Sequence, residues 1–249
     1  MAFIQASTKK HLSRWVLVSL TVFLVVVLLI SLTKGAYSIG FSQAFAALVK
    51  PLGFHLEAFD IRSSNVLLKI RLPRIMLAVL VGGGLGISGA ALQGLFRNPL
   101  VEPGLIGVSS GSALFAVVFL VLLPGMASTV PFLEKLGLPL FSFIGGLVNV
   151  FAVYYLGSKK EGESTATIIL AGVAINALAG ALIGLTLFYA DDTALRSFTF
   201  WSLGDLSGAT WSKLPIAAVL ICIPSLVLLR GSKNLNAMAL GEKEAFYMG

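Results

Sequence analysis

The sequence predicts an all-α polytopic membrane protein with about six transmembrane helices. Three observations predict it. Apolar residues make up 57% of the 249 and charged residues only 12%, against about 25% charged in a soluble domain. Six stretches carry no charged side chain: 15–33, 75–96, 103–133, 136–158, 164–190 and 214–229. Small residues recur along several of them at helical spacing. Any one stretch could be a buried core helix, but no soluble core in a chain of this length could bury all six. A spanning helix needs roughly 17–25 residues, and the first five stretches meet that.

The first stretch follows Lys9, Lys10 and Arg14. Its apolar run is too long for a signal peptide and no A-x-A-like cleavage site follows, so it reads as an uncleaved first helix. The second carries Gly82 and Gly86 in a GxxxG pair, continued by Gly89, Ala90, Ala91 and Gly94. Such faces let helix backbones approach closely in lipid. Asn98-Pro99 and Pro103-Gly104 bracket a tight re-entry into the third. The fourth runs to 158 and the fifth opens at Ser164 and holds a second pair, Gly180 and Gly184. After it, ADDTALRSFTFWSLGDLSGATW is a long polar-aromatic loop whose Trp201 and Trp211 suit an interface, with room for a short helix. The sixth has 16 residues, with Lys213 and Arg230 placed to snorkel at its ends. Cys222 lies inside it, so no intrachain disulfide can form. Beyond it, Leu235, Met238 and Ala239 make a short apolar face at i, i+3 and i+4.

The net charge of +7 sits at helix ends and in loops, so it does not point to nucleic acid. With the N-terminus in the cytoplasm, Lys and Arg count nine inside and nine outside. Six of the outside set fall in one segment: Lys34, Lys50, Arg62, Lys69, Arg71 and Arg74. The N-terminal cluster favours N-in and leaves that basic outer segment to be explained. No catalytic constellation, metal-ligand spacing or phosphate loop is present: His11 and His55 are isolated, and GGGLG at 82–86 lacks the Lys-Ser/Thr of a P-loop. The chain is therefore expected to be no enzyme and to carry no cofactor or metal. The absence of ionisable residues inside the spans counts against an ion-coupled secondary transporter.

Residues 71–111 carry a dense pattern: Arg71-Leu72-Pro73-Arg74, Gly89, Gln93, Arg97-Asn98-Pro99-Leu100, Glu102-Pro103-Gly104 and Gly107-Val108-Ser109-Ser110-Gly111. It resembles the FecCD family, the permease subunits of bacterial type II ABC importers for iron-siderophores, haem and vitamin B12. Similarity continues through STATIILAGVAINAL (164–178), LRSFTFWSLGDLSGATW (195–211) and NLNAMALGEKEAFYMG (234–249). The resemblance implies a single permease domain over 1–249, the N-terminal portion of a ten-helix fold whose second half does not follow Gly249. It implies a homodimer or paired permease in the bacterial inner membrane, cytoplasmic ABC ATPase subunits and a periplasmic substrate-binding protein. It assigns docking of the binding protein to Arg71 and Arg74. A cytoplasmic gate falls to Ser164, Thr165 and Thr167, where an N-cap is the plainer reading of Ser164. ATPase coupling falls to Leu240, Gly241, Glu242 and Glu244. The loop at 195–211 is most similar to haem permeases, which favours haem or a ferric siderophore as cargo. A cobalamin permease, or a truncated membrane fragment that transports nothing, are the alternatives.

Overall fold

The structure is a computed structural model that describes residues 2–50, 53, 60–158, 165–241 and 247. Among these residues all regular structure is helical. The elements are α1 (Ala2–Thr33), α2 (Phe41–Val49), α3 (Ile61–Val66), a π-helical turn (Leu67–Arg71), α4 (Leu72–Phe96), a 3-10 turn (Pro103–Ile106) and α5 (Val108–Leu122). They continue with α6 (Pro124–Thr129), α7 (Pro131–Gly157), α8 (Thr165–Phe188), α9 (Asp192–Leu203), α10 (Leu214–Arg230) and α11 (Ser232–Leu240).

Four helical runs are long and apolar enough to cross a membrane: 13–33, 61–96, 136–157 and 166–188. A fifth arises if α10 and α11, bent by 59° at their junction, count as one span. The expected third span differs. The stretch 103–133 divides into the 3-10 turn, α5 of 15 residues, α6 and the start of α7. The missing charge that made it look continuous says nothing about Pro103, Pro124 and Pro131, each of which starts a new helical segment. The expected short helix before the last span is α9, capped by Asp191, whose Oδ1 accepts from the Ala194 amide at 2.7 Å.

Contacts group the chain into two units. The first comprises 1–82 and 206–222, the second 83–205 and 223–249. In the first, α2, α3 and the π-helical turn close a small core of Ile39, Ala44, Ala47 and Leu67, flanked by Leu32, Leu48, Val66 and Leu68. Asp60 caps α3 by accepting from the Ser63 amide and hydroxyl at 2.8 and 2.7 Å. In the second, α5 packs against both α7 and α8, and the 3-10 turn packs beside them.

Within the second unit the helices touch through glycine. A Cβ on Gly111 would collide with the Gly145 carbonyl oxygen, and one on Gly145 with the Gly111 carbonyl. Gly137 faces the Phe119 ring, and Gly172 of α8 lies against the Leu105 carbonyl. The pairs singled out by spacing behave differently. A Cβ at Gly82, Gly83, Gly86, Gly89, Gly94, Gly180 or Gly184 would meet no described atom within 4 Å. These GxxxG positions therefore have open space beside them among the described residues.

Candidate functional site

The start of α4 is built by one proline. Pro73 has no amide, so the Lys69 carbonyl four residues earlier loses its helical donor. The helix widens there: the Leu72 amide donates to the Leu67 carbonyl, an i to i+5 bond. The Leu68 carbonyl is passed over, because Leu72 is committed to Leu67 and residue 73 cannot donate. The indole N–H of Trp211 takes its place, at 2.8 Å. Trp211, expected as an interface residue, thus also caps the break that Pro73 makes.

This widened turn separates the two arginines of the RLPR run. Residues three apart on a regular helix share a face. Here Arg71 ends the π-helical turn and is only 9% exposed, while Arg74 lies in α4 and is exposed. The Arg71 guanidinium donates to the Leu32 carbonyl through Nη1 at 2.6 Å and to the Tyr37 carbonyl through Nη2. It lies so close to Gly35 that a Cβ there would sit 2.8 Å from Nη2. Arg74 gives one bond, Nη2 to the Ser207 carbonyl at 3.1 Å. Of the six basic residues in the segment, Lys34, Lys50, Arg62, Lys69 and Arg74 are exposed and Arg71 alone is buried.

The re-entry after α4 is a second built feature. The Asn98 amide donates to Gln93 and the Arg97 amide to Gly94, closing α4 with the paired bonds of a Schellman end. Arg97 takes φ 52° there, where glycine is usual. Asn98 Oδ1 then accepts from the Leu100 amide at 3.0 Å. The chain turns back through the 3-10 turn, and Gly107 at φ 87° starts α5. An unpaired carbonyl in an apolar setting is costly, and the Gly104 and Gly107 carbonyls here accept both from backbone amides, those of Gly107 and Gly111, and from side chains. Asn176 Nδ2 donates to the Gly104 carbonyl at 3.0 Å, and Asn149 Nδ2 to Gly107 at 3.2 Å. Ser110 Oγ joins them, bonded to Asn176 Oδ1 and to Asn149 Nδ2 at 3.2 Å. Reasoning from the sequence named Ser110 only as part of a motif and missed both asparagines. The available signal was a lone amide side chain deep in each of two uncharged stretches.

The remaining expected positions are partly outside view. Ser164 of the gate lies outside the described residues, and Thr165 starts α8 with its side chain undescribed. Thr167 is half-buried on α8. Of the coupling set, Leu240 ends α11, Gly241 follows at φ 143°, and Glu242 and Glu244 lie outside the described residues. Of the expected apolar face of Leu235, Met238 and Ala239, Leu235 and Ala239 line a groove of about 240 Å³ with Ala90, Ala91 and Gly94 of α4. Among the described residues no group of three metal-ligating side chains converges.

Comparison with known proteins matches this arrangement to one family. The profile of the FecCD transport family covers residues 23–249. The hemin transport system permease protein HmuU of Yersinia pestis is 39% identical over 230 residues, 92% of this chain and 65% of that protein. The molybdate import system permease protein MolB of Haemophilus influenzae is 37% identical, over 94% of this chain and 66% of its own length. The cobalamin import system permease protein BtuC of Halobacterium salinarum is 38% identical over 72% of this chain and 46% of that protein. The chain thus spans about two thirds or less of these relatives. A solved metal-chelate type ABC transporter in an inward-facing conformation superposes with TM-score 0.76 at 32% identity, over 95% of this chain and 68% of that one. The RLPR break, the re-entry and the helices that hold them all fall inside the matched region, and this multi-pass membrane chain belongs to the FecCD transport family.

Proposed function

We propose that the chain is a permease subunit of an ABC importer in the bacterial inner membrane, a single permease domain with no ATPase site of its own. The observation that carries this reading is the fit of 95% of the chain to one metal-chelate type ABC transporter subunit. Two copies, or a paired permease, would enclose the path. Cytoplasmic ATPase subunits would supply the energy and a periplasmic binding protein the cargo. In an N-in orientation the start of α4 faces the periplasm, and its basic side chains would meet acidic groups of that binding protein. Ser164, Thr165 and Thr167 would then lie at the cytoplasmic gate, and the segment from α11 through Leu240, Gly241, Glu242 and Glu244 would dock on the ATPase.

For cargo we favour haem or a ferric siderophore. The hemin permease of Yersinia pestis is 39% identical, and the α9 loop supports the same choice. Relatives named for cobalamin and molybdate at 38% and 37% identity keep that choice a proposal. The test is uptake by proteoliposomes holding this chain with an ABC ATPase and a periplasmic binding protein that associate with it, offered hemin, a ferric siderophore, cobalamin and molybdate in turn. ATP-dependent accumulation of hemin or the siderophore is expected. Accumulation of cobalamin or molybdate instead overturns the cargo, and accumulation of none overturns transport by this chain.

A further inference from the structure

We propose that the groove between α1, the start of α4 and the start of α10 holds one acyl chain of an anionic phospholipid, with the lipid phosphate on Lys213. The site stands apart from cargo and path and needs only the membrane setting.

The groove has a volume of about 500 Å³, within the roughly 300–1,000 Å³ of small-molecule sites. Its walls include Leu28 of α1, Met76 and Val79 of α4, and Trp211, Leu214 and Ala218 at the head of α10. None of the lining residues is charged. The indole N–H of Trp211 is already committed to the Leu68 carbonyl at 2.8 Å, so the side chains offer a ligand hydrocarbon contact and no free donor. Met76 and Val79 are 41% and 42% exposed. They lie in the run 61–96, long and apolar enough to cross a membrane, so the medium they face is hydrocarbon. The groove is also shallow. Its lining on α4 runs from Ile75 to Leu80, about 7.5 Å of helical rise, and begins within one turn of Leu72. A helix about 10–12 Å across with its side chains takes more room than this over so short a rise, and a hydrocarbon chain does not.

The rim supplies the headgroup contact. Lys213 precedes α10 by one residue and is exposed, beside the lining residues Trp211 and Leu214. Its amide donates to the Thr210 carbonyl at 3.1 Å, and the Thr210 and Ser212 hydroxyls bond at 3.0 Å, which fixes the turn that presents it. A lysine so placed rests its stem on apolar surface and holds the ammonium at headgroup level, where each cation favours anionic lipid. Trp211 suits the same depth. Apolar wall, interface indole and cation thus follow one another toward the membrane surface in the order of a phospholipid's chain, glycerol and phosphate.

The test uses the full chain in detergent, titrated with phosphatidylglycerol and, as the zwitterionic control, phosphatidylcholine. Native mass spectrometry of the wild type is expected to show one phosphatidylglycerol per chain retained where phosphatidylcholine is lost. With Trp15→Phe and Trp201→Phe, Trp211 is the one tryptophan left of three, and lipids brominated on the acyl chain report on its surroundings by quenching it. Brominated phosphatidylglycerol is expected to half-quench Trp211 at about fivefold lower concentration than brominated phosphatidylcholine. Lys213→Gln is expected to erase that preference, and Lys213→Arg to keep it. Ala218→Phe, which fills the groove, is expected to lower quenching by both lipids. Retention of neither lipid, or of both alike, by the wild type overturns the proposal and needs no variant to fold. So does quenching that Ala218→Phe leaves unchanged, which would put the lipid elsewhere. Trp211 shielded from both lipids in a chain that runs as a dimer also overturns it, because a second copy then covers the groove.

Discussion

Glycine lies along α4 and between α5 and α7, yet it does opposite things in the two places. Between α5 and α7, Gly111 and Gly145 each press on the other's carbonyl, so the backbones meet with no side chain between them. Along α4, a Cβ added at Gly82, Gly86, Gly89 or Gly94 would meet nothing within 4 Å among the described residues. The difference teaches that small-residue spacing marks where close approach is permitted, and a facing element decides whether it happens. The seam also has a polar partner, since α7 and α8 bring Asn149 and Asn176 to the Gly107 and Gly104 carbonyls beside it.

The comparison breaks or sharpens under substitution. Gly111→Val should have the largest effect, because its side chain must displace the Gly145 backbone. Overpacking of this kind costs about 1–3 kcal/mol, occasionally more, and the loss should appear in SDS-titrated unfolding followed by tryptophan fluorescence. Asn176→Leu should come next. It removes the side-chain donor that the Gly104 carbonyl has beside the Gly107 amide, and one partner of Ser110, a cost of about 0.5–1.5 kcal/mol for each bond lost, with faster hydrogen exchange in residues 104–107. Gly86→Ala should change stability by no more than about 1 kcal/mol, and toward greater stability, since alanine is the better helix former. A loss there as large as that of Gly111→Val would mean that α4 has a packed neighbour, and the contrast would collapse.

The smallest effect lies outside both glycine regions and serves as their control. The Ser63 hydroxyl and then its amide hold the Asp60 carboxyl below the usual carboxylate range. Because the folded pKa is lowered, the cap contributes above the ordinary value of about 3.9 and is lost as pH falls through the folded one. Exchange of the Ser63 amide should quicken on acidification from neutral to below that range, and Asp60→Ala should remove the pH dependence. The exchange of α5 and α7 amides should show no matching step.

The helical class and the membrane setting were legible because missing charge is a property of composition, and it survives any detail of packing. The position of the re-entry was legible too, since Asn98-Pro99 and Pro103-Gly104 are local turn chemistry. What could not be read were contacts between distant residues. Gly172 against Leu105 and Asn176 against Gly104 join positions that no periodicity links. The two arginines of RLPR read as equivalent because spacing on an ideal helix makes them so, and the proline between them removes that equivalence. The third expected stretch is divided for a related reason: absence of charge cannot distinguish one helix from two helices and a turn.

The bond from Asn176 to the Gly104 carbonyl spans 72 residues, and this sets an order of events during synthesis. When the re-entry first leaves the ribosome, the Gly104 carbonyl has the Gly107 amide of its own turn, and the helix that carries Asn176 has not been made. At about 5–20 residues per second, several seconds pass before that second donor arrives. The turn can therefore form first from its own amides, and α8 later adds the side-chain bond that ties it to the rest of the molecule.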